Sequence, residues 1–289
     1  MTTPEQSLQQ LPSAIRVGGT GDERVAASGP CGVSTMDYGV EAHLASNIGR
    51  IRSSNQDSLA FFSPAEARQW QRRGVLVVMA DGMGGHNAGE VASSMAVETL
   101  GQSYFANGEV DPGNALSNAM HDANLAIAHA AAADSALAGM GTTATALILV
   151  GSRVLFAHVG DSRVYRCRGG RCRQLTVDHT VAAEMARNGL LSTEQARHHP
   201  ARNILLLSLG SEKTLRVATQ ADAPPVIGDS FVLCSDGLWE SVDAAEIGRV
   251  VARLDAAAAC RRLIELALAR DGSDNVSLAI ISIGPPVQS

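Results

Sequence analysis

The stretch that decides the fold is residues 75–86, which read VLVVMADGMGGH. Val75 to Ala80 predict a buried β-strand, because a short apolar run that stops at a turn signal is typical of a strand covered on both faces. The run ends at Asp81, and the glycines after it let backbone atoms approach other groups closely. A carboxylate at the end of a buried strand is costly to desolvate unless it is paired or binds a cation.

Three more aspartate-containing segments lie beside apolar runs: GDSR at 160–163, SDG at 235–237 and DGSDN at 271–275. Each Asp-Gly pair alone is also common in plain turns. Four such sites in a chain whose one lysine is Lys213 leave few organic counter-ions. Oxygen ligands select hard cations, so the pattern predicts Mg²⁺ or Mn²⁺. Two such ions about 3.5–4 Å apart would activate a bridging water and hold a phosphate for in-line attack.

The composition of the 289 residues is that of a globular protein, with 45% hydrophobic and 18% charged residues. A formal net charge of −6 argues against nucleic-acid binding, which needs clustered Lys and Arg. No apolar run approaches the ~18 residues of a spanning helix, and residues 1–16 do not resemble a signal peptide. Five cysteines without a C-x-x-C pair indicate reduced thiols. We therefore expect a soluble, cytoplasmic protein that does not bind membranes.

The order of predicted elements divides the chain into a flexible N-terminal arm at 1–36, one domain at 37–284 and a C-terminal tail at 285–289. The arm is rich in Pro and Gly and has almost no apolar periodicity. Within the domain, helical patterns at about 88–105, 111–133, 244–254 and 256–270 are set among short strand patterns, one of them at 215–219. Two long helices between early and middle strands, followed by hairpins, predict an α+β fold with antiparallel sheets.

Seven motifs follow one another along the chain: GxxRxxNQD at 49–57, DGMGGH at 81–86, GMGTT at 139–143, GDSR at 160–163, DH at 178–179, SDGL at 235–238 and DNV at 274–276. Their order resembles that of the bacterial metal-dependent serine/threonine protein phosphatases, the PPM or type 2C family. The resemblance covers residues 40–284. It implies a four-layer α-β-β-α sandwich of two antiparallel sheets flanked by helix pairs, with a mobile flap at about 178–209 beside the active site.

The resemblance also implies roles for individual residues, with a binuclear Mn²⁺ or Mg²⁺ centre at one end of the sandwich. Asp81 would bridge both metals, Gly82 would ligate through its carbonyl, and Asp236 and Asp274 would complete one site. Asp57 would orient metal-bound water, and Asp161 with Asp236 would hold a weaker third metal. Alternatively, the 161–163 segment is a structural turn with an internal salt bridge.

Two further residues complete the implied site. Arg52 would bind the substrate phosphate, because a guanidinium fork fits two phosphate oxygens, with a surface arginine on a turn as the alternative. His86 is a candidate general acid or a donor to the site, with a solvated loop histidine as the alternative. Asn275, next to a proposed ligand, is expected to support the site and not to catalyse.

The implied function is hydrolysis of phosphoserine and phosphothreonine in proteins by water activated at the metal centre. The partners would be phosphorylated proteins, including a Ser/Thr protein kinase and its substrates, and we expect a monomer. The alternative is a catalytically weak or inactive member of the fold that binds phosphoproteins as a regulatory module. The presence of Asp81, Asp236 and Asp274 favours the enzyme.

A second phosphatase signature is present, since Cys167, Gly170 and Arg173 match the C-x-x-G-x-x-R core of the cysteine-dependent tyrosine phosphatases. That chemistry requires a helix directly after the phosphate-binding loop, whereas the residues here alternate like a strand. The sequence instead predicts a hairpin of 164–168 and 171–175 around a Gly169-Gly170 turn. This places Cys167 opposite Cys172 as a pair of thiols without a required role.

Overall fold

The computed structural model describes residues 13–18, 21–27, 38–84, 88–211, 215 and 217–286. One sheet has the order β1-β4-β5-β7-β8-β11, and β6 pairs with β5 beside it. Its strands are β1 (Ser13–Gly18), β4 (Asp57–Ser63), β5 (Val75–Met83), β6 (Gly141–Thr142), β7 (Ala144–Val150), β8 (Arg153–Val159) and β11 (Gln220–Asp222). All of its pairings are antiparallel.

The second sheet has the order β10-β9-β12-β13-β3-β2 and is also antiparallel. Its strands are β2 (Gly21–Ala27), β3 (Gly39–Asn47), β9 (Arg163–Arg168), β10 (Arg171–Gln174), β12 (Ser230–Cys234) and β13 (Val276–Gly284). A buried cluster that includes Leu59, Val77, Phe231 and Ile281 joins the facing surfaces of the two sheets.

Two helix pairs cover the outer faces of the sheets. The helices are α1 (Ala67–Arg73), α2 (Ala88–Ala106), α3 (Pro112–Ala133), α4 (Val181–Arg187), α5 (Thr193–Arg197), α6 (Asp236–Trp239), α7 (Ala244–Val251) and α8 (Ala256–Arg270). Residues of α2 and α3 share one apolar cluster with the first sheet, and residues of α7 and α8 share another with the second. The expected four-layer α-β-β-α sandwich is confirmed. None of the described helices has the length and apolar character needed to cross a membrane.

The sequence predicts where α3 begins. The Asp111 side chain accepts hydrogen bonds from the backbone N–H groups of Gly113 and Asn114, at 2.8 and 3.1 Å, and Pro112 is the first helical residue of α3. These contacts satisfy donors that a helix leaves without internal partners. The predicted N-cap is therefore confirmed.

The N-terminal segment differs from the expected flexible arm over the two ranges that the structure describes. β1 pairs with β4, from Ser13 opposite Ser63 to Gly18 opposite Ser58, and β2 pairs with β3. Each therefore forms an edge of a sheet. An open sheet edge presents unpaired N–H and C=O groups that any extended segment can pair with, so the pairing needs little apolar periodicity. Most of the 285–289 tail lies outside the described residues.

The hairpin predicted around Gly169-Gly170 is present as β9 and β10, and both glycines have positive φ. Cys167 lies directly opposite Cys172, and the structure joins them in a disulfide with Cα atoms 4.0 Å apart. The expectation of reduced thiols is therefore wrong for this pair, because directly opposed residues of an antiparallel ladder bring their side chains within bonding reach. Cys234 and Cys260 are buried thiols, and Cys31 lies outside the described residues.

The flap segment at 178–209 carries α4 and α5, and its two ends are attached to the first sheet. At the first end, the His179 N–H donates to the Gly160 carbonyl at 2.7 Å. At the second end, Leu209 and Thr142 exchange backbone hydrogen bonds of 2.8 and 3.2 Å. Gly189 follows α4 with a φ of 73°, as expected for a glycine just past a helix.

Candidate metal centre

The centre is built around two aspartates on neighbouring strands. Asp57 is the first residue of β4 and is paired in register with Asp81 near the end of β5. Residues directly opposite each other in an antiparallel ladder have Cβ atoms about 4.5–5.5 Å apart. Two carboxylates at this spacing repel each other unless a proton or a cation lies between them.

Asp57 is buried, with 2% of its surface exposed. Its Oδ2 accepts a 2.9 Å hydrogen bond from the Ser235 hydroxyl, while Oδ1 has no hydrogen-bond partner among the described residues. Burial raises the pKa of the Asp57 carboxyl to about 6, partly offset by hydrogen bonds from Ser277 and Ser235. An unpartnered buried carboxylate oxygen is a feature that a bound cation or its water would satisfy.

The backbone of Asp81 is held from the β6–β7 side. Its carbonyl accepts from the Thr142 hydroxyl and from the Thr143 N–H, both at 2.8 Å, and its own N–H donates to the Thr143 hydroxyl at 2.9 Å. Gly82 follows in a tight space, where a Cβ would lie 2.0 Å from the Gly89 carbonyl oxygen at the start of α2. The glycine is thus required by the close packing of α2, and these contacts fix the position of the Asp81 side chain.

Asp161 and Asp236 bring two more carboxylates from other elements. Asp161 is buried in the turn between β8 and β9, and Asp236 begins α6 directly after β12. Burial, followed by repulsion from Asp178, raises the pKa of Asp161 to about 7. The pKa of Asp236 lies well above its usual range because of burial and because of repulsion from Asp161 and Asp274.

Asp274 and Arg52 close the cluster on the solvent side. The Arg52 Nη2 donates to Asp274 Oδ2 at 2.7 Å, and about half of the arginine side chain is exposed. The Asp274 hydrogen bond raises the pKa of the Arg52 guanidinium, which stays charged. Arg52 is therefore placed beside the acidic cluster with donors that face solvent.

Asn275 fastens the loop that carries Arg52. Its Oδ1 accepts from the Gln56 N–H at 2.8 Å, and its Nδ2 donates to the carbonyls of Ile48 and Ser54 at 2.8 and 3.1 Å. Gly49, with a φ of 85°, passes so close that a Cβ would lie 2.2 Å from the Asp274 carbonyl oxygen. These contacts are consistent with the supporting role expected for Asn275.

The donor set fits hard divalent cations. Burial raises the pKa of Asp81 far above its usual range, and the neighbouring acids, Asp57 and Asp236 first, raise it further. Among the described residues no compact group of three or more acidic, His or Cys side chains meets the geometry of a metal site by itself. Carbonyl and water oxygens would therefore complete the coordination, as Mg²⁺ and Mn²⁺ allow. A cation would remove the repulsion that otherwise drives protonation of these acids.

The structure brings together all but one of the predicted site residues. Burial and neighbouring acids raise the pKa values of Asp57, Asp81, Asp161 and Asp236. Asp274 is one of the charges that act on Asp57, Asp81 and Asp236, and Arg52 is paired with Asp274. His86 lies outside the described residues. For the 161–163 segment, the salt bridge that the structure shows joins Arg163 to Asp178, at 2.6 Å, and not to Asp161.

Sequence reasoning missed the residues that hold the carboxylates in place. Ser235 and Ser277 contact Asp57, and Trp239 donates from Nε1 to the Asp161 carbonyl at 3.0 Å. Ser235 is the first residue of the SDGL motif and could have been found as a hydroxyl beside a proposed acidic ligand. Ser277 and Trp239 carry no such signal, because each acts on a residue that is distant in sequence.

The sequence model of the family described as protein phosphatase 2C matches residues 49–268. The chain is 33% identical over 252 residues to protein phosphatase PhpP of Streptococcus pneumoniae, covering 84% of this chain and 98% of PhpP. It is 35% identical over 242 residues to the serine/threonine protein phosphatase PstP of Mycobacterium tuberculosis, covering 82% of this chain and 44% of PstP.

Solved structures show the same similarity. The crystal structure of Mycobacterium tuberculosis PstP/Ppp matches with a TM-score of 0.74 and 33% identity, over 85% of this chain and 99% of that one. The catalytic domain of PstP in complex with two manganese ions matches with a TM-score of 0.73 and 32% identity, over 85% and 98%.

The chain belongs to the protein phosphatase 2C family. It is a serine/threonine protein phosphatase, a hydrolase of phosphate monoesters. The expected family, fold and class of enzyme are thereby confirmed.

Proposed function

We propose that the protein removes phosphate from phosphoserine and phosphothreonine in proteins with the help of two Mn²⁺ or Mg²⁺ ions, and that a third ion binds more weakly. The observation that carries the proposal is the convergence of five buried or half-buried aspartates beside the half-exposed Arg52. Two of the aspartates lie on paired strands of the first sheet, and the other three lie in a turn, a helix and a loop at strand ends. The two manganese ions in the PstP structure support it.

The proposed roles follow from where each side chain lies. Asp81 would bridge the two ions, with the Gly82 carbonyl as a further ligand and Asp236 and Asp274 on one ion. Asp161 and Asp236 would hold the third. When bound, the ions would supply Lewis-acid polarisation of the phosphate and would lower the pKa of bound water.

The remaining roles concern the substrate and its protons. Arg52 would bind two phosphate oxygens through the donors that Asp274 leaves free, since its guanidinium is charged and half exposed. Asp57, whose Oδ2 is held by Ser235, would accept a proton or hydrogen bond from the attacking water at its free Oδ1. His86 stays a candidate donor to the leaving oxygen.

Two alternatives make different predictions. An inactive module would bind phosphoproteins without turnover, although the full set of aspartates favours an enzyme. A thiolate mechanism at Cys167 is disfavoured, because Cys167 is buried within β9 and bonded to Cys172.

The deciding experiment is the hydrolysis of a phosphothreonine peptide by purified protein with Mn²⁺, with EDTA and after Asp236→Asn. We expect activity with Mn²⁺ only, and a loss of at least 100-fold in kcat for Asp236→Asn, an order of magnitude typical for removal of one catalytic electrostatic contact. Asp243→Asn is the matched control, because Asp243 caps α7 and asparagine caps equally well.

Two results would contradict the proposal. Activity that survives both EDTA and Asp236→Asn would exclude the metal mechanism, and binding of the peptide without any turnover would favour the regulatory module. Cys167→Ser should leave kcat unchanged, so a loss of activity in that variant would revive the thiolate mechanism.

The substrates, the oligomeric state and the cellular location of the enzyme also belong to the proposal. We infer phosphorylated proteins as substrates, among them a Ser/Thr kinase and its targets, and a monomeric enzyme in the cytoplasm. These points rest on the family resemblance, and a phosphoproteome comparison of cells with and without the protein would identify the substrates.

A further inference from the structure

The hairpin of β9 and β10 places four arginines in two directly opposed pairs. Arg173 lies opposite Arg166, and Arg171 lies opposite Arg168. The alternation of a β-strand puts all four side chains on one face of the hairpin. Like charges directly opposite each other destabilise a ladder, so this arrangement requires compensation by anions.

Two aspartates supply part of that compensation. Asp229 accepts from Arg166 Nε at 3.1 Å and Nη2 at 2.5 Å, and from Arg168 Nε at 2.5 Å and Nη2 at 2.9 Å. Asp222 accepts from Arg166 Nη1 at 3.0 Å and from Arg173 Nη2 at 2.7 Å. Arg166 is thereby saturated, since the Ala223 and Pro224 carbonyls take its remaining donors.

Three guanidinium groups keep free donors. The side chains of Arg168 and Arg173 are 56% and 64% exposed, and each is paired with an aspartate on one side only. Arg171 is exposed and makes no hydrogen bond or ion pair with any described residue. Four guanidinium groups thus meet two carboxylates, which leaves an excess of two positive charges.

These groups line a cavity of about 460 Å³, bounded by Arg166, Arg168, Arg171, Cys172, Arg173 and Ala223. The cavity is an open depression on the protein surface, and the side chains that keep free donors, Arg168, Arg171 and Arg173, all border it. Arginine forks match the paired oxygens of a phosphoryl group, which carries −1.5 to −2 charge at pH 7. The excess charge of this arginine pocket equals that of one phosphoryl dianion.

We propose that the arginine pocket is a second phosphate-binding site, which holds a phosphorylated residue of a polypeptide without hydrolysing it. An anionic membrane is a poorer fit, because the positive charge is confined to one hairpin and the chain carries a formal net charge of −6. The site is separate from the metal centre: Arg163 begins β9 beside Asp161, and Arg168 ends it five residues later, roughly 16 Å along the strand. The pocket would therefore anchor a phosphoprotein at a position other than the one being dephosphorylated.

The test measures binding in EDTA, in an Arg52→Ala background that weakens the catalytic phosphate site. Calorimetry with a phosphothreonine peptide, its unphosphorylated form and inorganic phosphate would be compared with the same titrations of Arg171→Gln/Arg173→Gln. The matched control is Arg68→Gln/Arg72→Gln, which removes two exposed arginines on α1, away from the hairpin. The single variant Arg171→Gln is also measured, in case the double variant misfolds, because the Arg171 side chain makes no hydrogen bond or ion pair with a described residue.

We expect the phosphopeptide to bind, the double variant to weaken binding at least tenfold, and the control pair to change it less than twofold. Hydrolysis of an aryl phosphate by the otherwise wild-type protein with Mn²⁺ should be unchanged by Arg171→Gln/Arg173→Gln. Phosphopeptide binding tighter than that of inorganic phosphate would assign the site to a polypeptide, and equal binding would assign it to free phosphate. Equal binding of the unphosphorylated peptide, or equal losses in both double variants, would overturn the proposal.

Discussion

Trp239 donates its indole N–H to the backbone carbonyl of Asp161 at 3.0 Å, and so ties the end of α6 to the turn after β8. The Arg163 guanidinium lies 3.4 Å from the centroid of the Trp239 ring and also pairs with Asp178, the first residue of the flap. One aromatic ring thus connects the flap to two elements that carry proposed metal ligands, Asp161 and Asp236. The flap and the third-metal site should therefore respond to each other.

Substitution of Trp239 by Phe keeps the stacked ring and removes the hydrogen bond to Asp161. A buried carbonyl left without its donor costs about 1 kcal/mol, which corresponds to roughly a fivefold change in an equilibrium constant. We expect the affinity for the weakest Mn²⁺ ion to fall by about that factor in calorimetric titrations, with the two tighter ions unaffected. Trp70→Phe is the matched control, since Trp70 is buried on α1. A uniform loss of affinity for all ions in Trp239→Phe would contradict the assignment.

Removal of the Arg52 guanidinium should act mainly on substrate binding. We expect Arg52→Ala to raise KM for a phosphopeptide about 10- to 100-fold, as for the loss of one or two charge-assisted hydrogen bonds, with a smaller effect on kcat. Arg50→Ala is the control, because Arg50 lies on the same loop and is exposed. Steady-state kinetics decide the matter: a large fall in kcat at unchanged KM would show that Arg52 acts in the chemical step.

Stability of the metal-free protein should fall as the pH rises through the neutral range. Burial raises the pKa of Asp57 to about 6 and that of Asp161 to about 7, so protonation of both stabilises the fold below these values. As both ionise, we expect a loss on the order of 2 kcal/mol and a Tm about 5 °C lower at pH 8 than at pH 5.5 in EDTA. Saturating Mg²⁺ should remove this difference, because the cation replaces the protons. A metal-free Tm that rises from pH 5.5 to pH 8 would contradict the raised pKa values of Asp57 and Asp161.

The parts of the fold that could be predicted from sequence are those with a local signal. Val75 to Ala80 form a buried strand that ends at Asp81, and the Asp111-Pro112 pair begins α3, as predicted. The strand predicted at 215–219 is displaced, because the residues that pair with β8 are Gln220–Asp222. Leu215 is buried in the apolar cluster that α2 and α3 share with the first sheet. Its apolar character therefore reflects burial and does not indicate a strand.

The parts that could not be predicted depend on contacts between distant segments. The sequence places Arg166 and Asp229 63 residues apart, and nothing local relates them. The same holds for Ser235 and Asp57, which lie 178 residues apart. Motif order locates the carboxylates of the metal centre, whereas the groups that orient them follow only from the pairing of the sheets.

The fully buried carboxylate of Asp229 should contribute more to stability than the partly exposed carboxylate of Asp222. Burial alone would raise its pKa, but hydrogen bonds from Arg168, the Val226 N–H and Arg166 lower it below the usual value. Asp229→Asn leaves two guanidinium groups without their anion, and we expect a loss of about 3–5 kcal/mol in urea unfolding at pH 7. Asp222→Asn should cost less, because Asp222 is partly exposed and its second partner, Arg173, faces solvent.

Since the folded pKa of Asp229 is depressed, its contribution is present above the unfolded value of about 4 and disappears as the pH falls below it. The difference in stability between wild type and Asp229→Asn should therefore shrink on acidification below pH 4. Equal losses of unfolding free energy for Asp229→Asn and Asp222→Asn at pH 7 would show that the deeper burial of Asp229 adds nothing to stability.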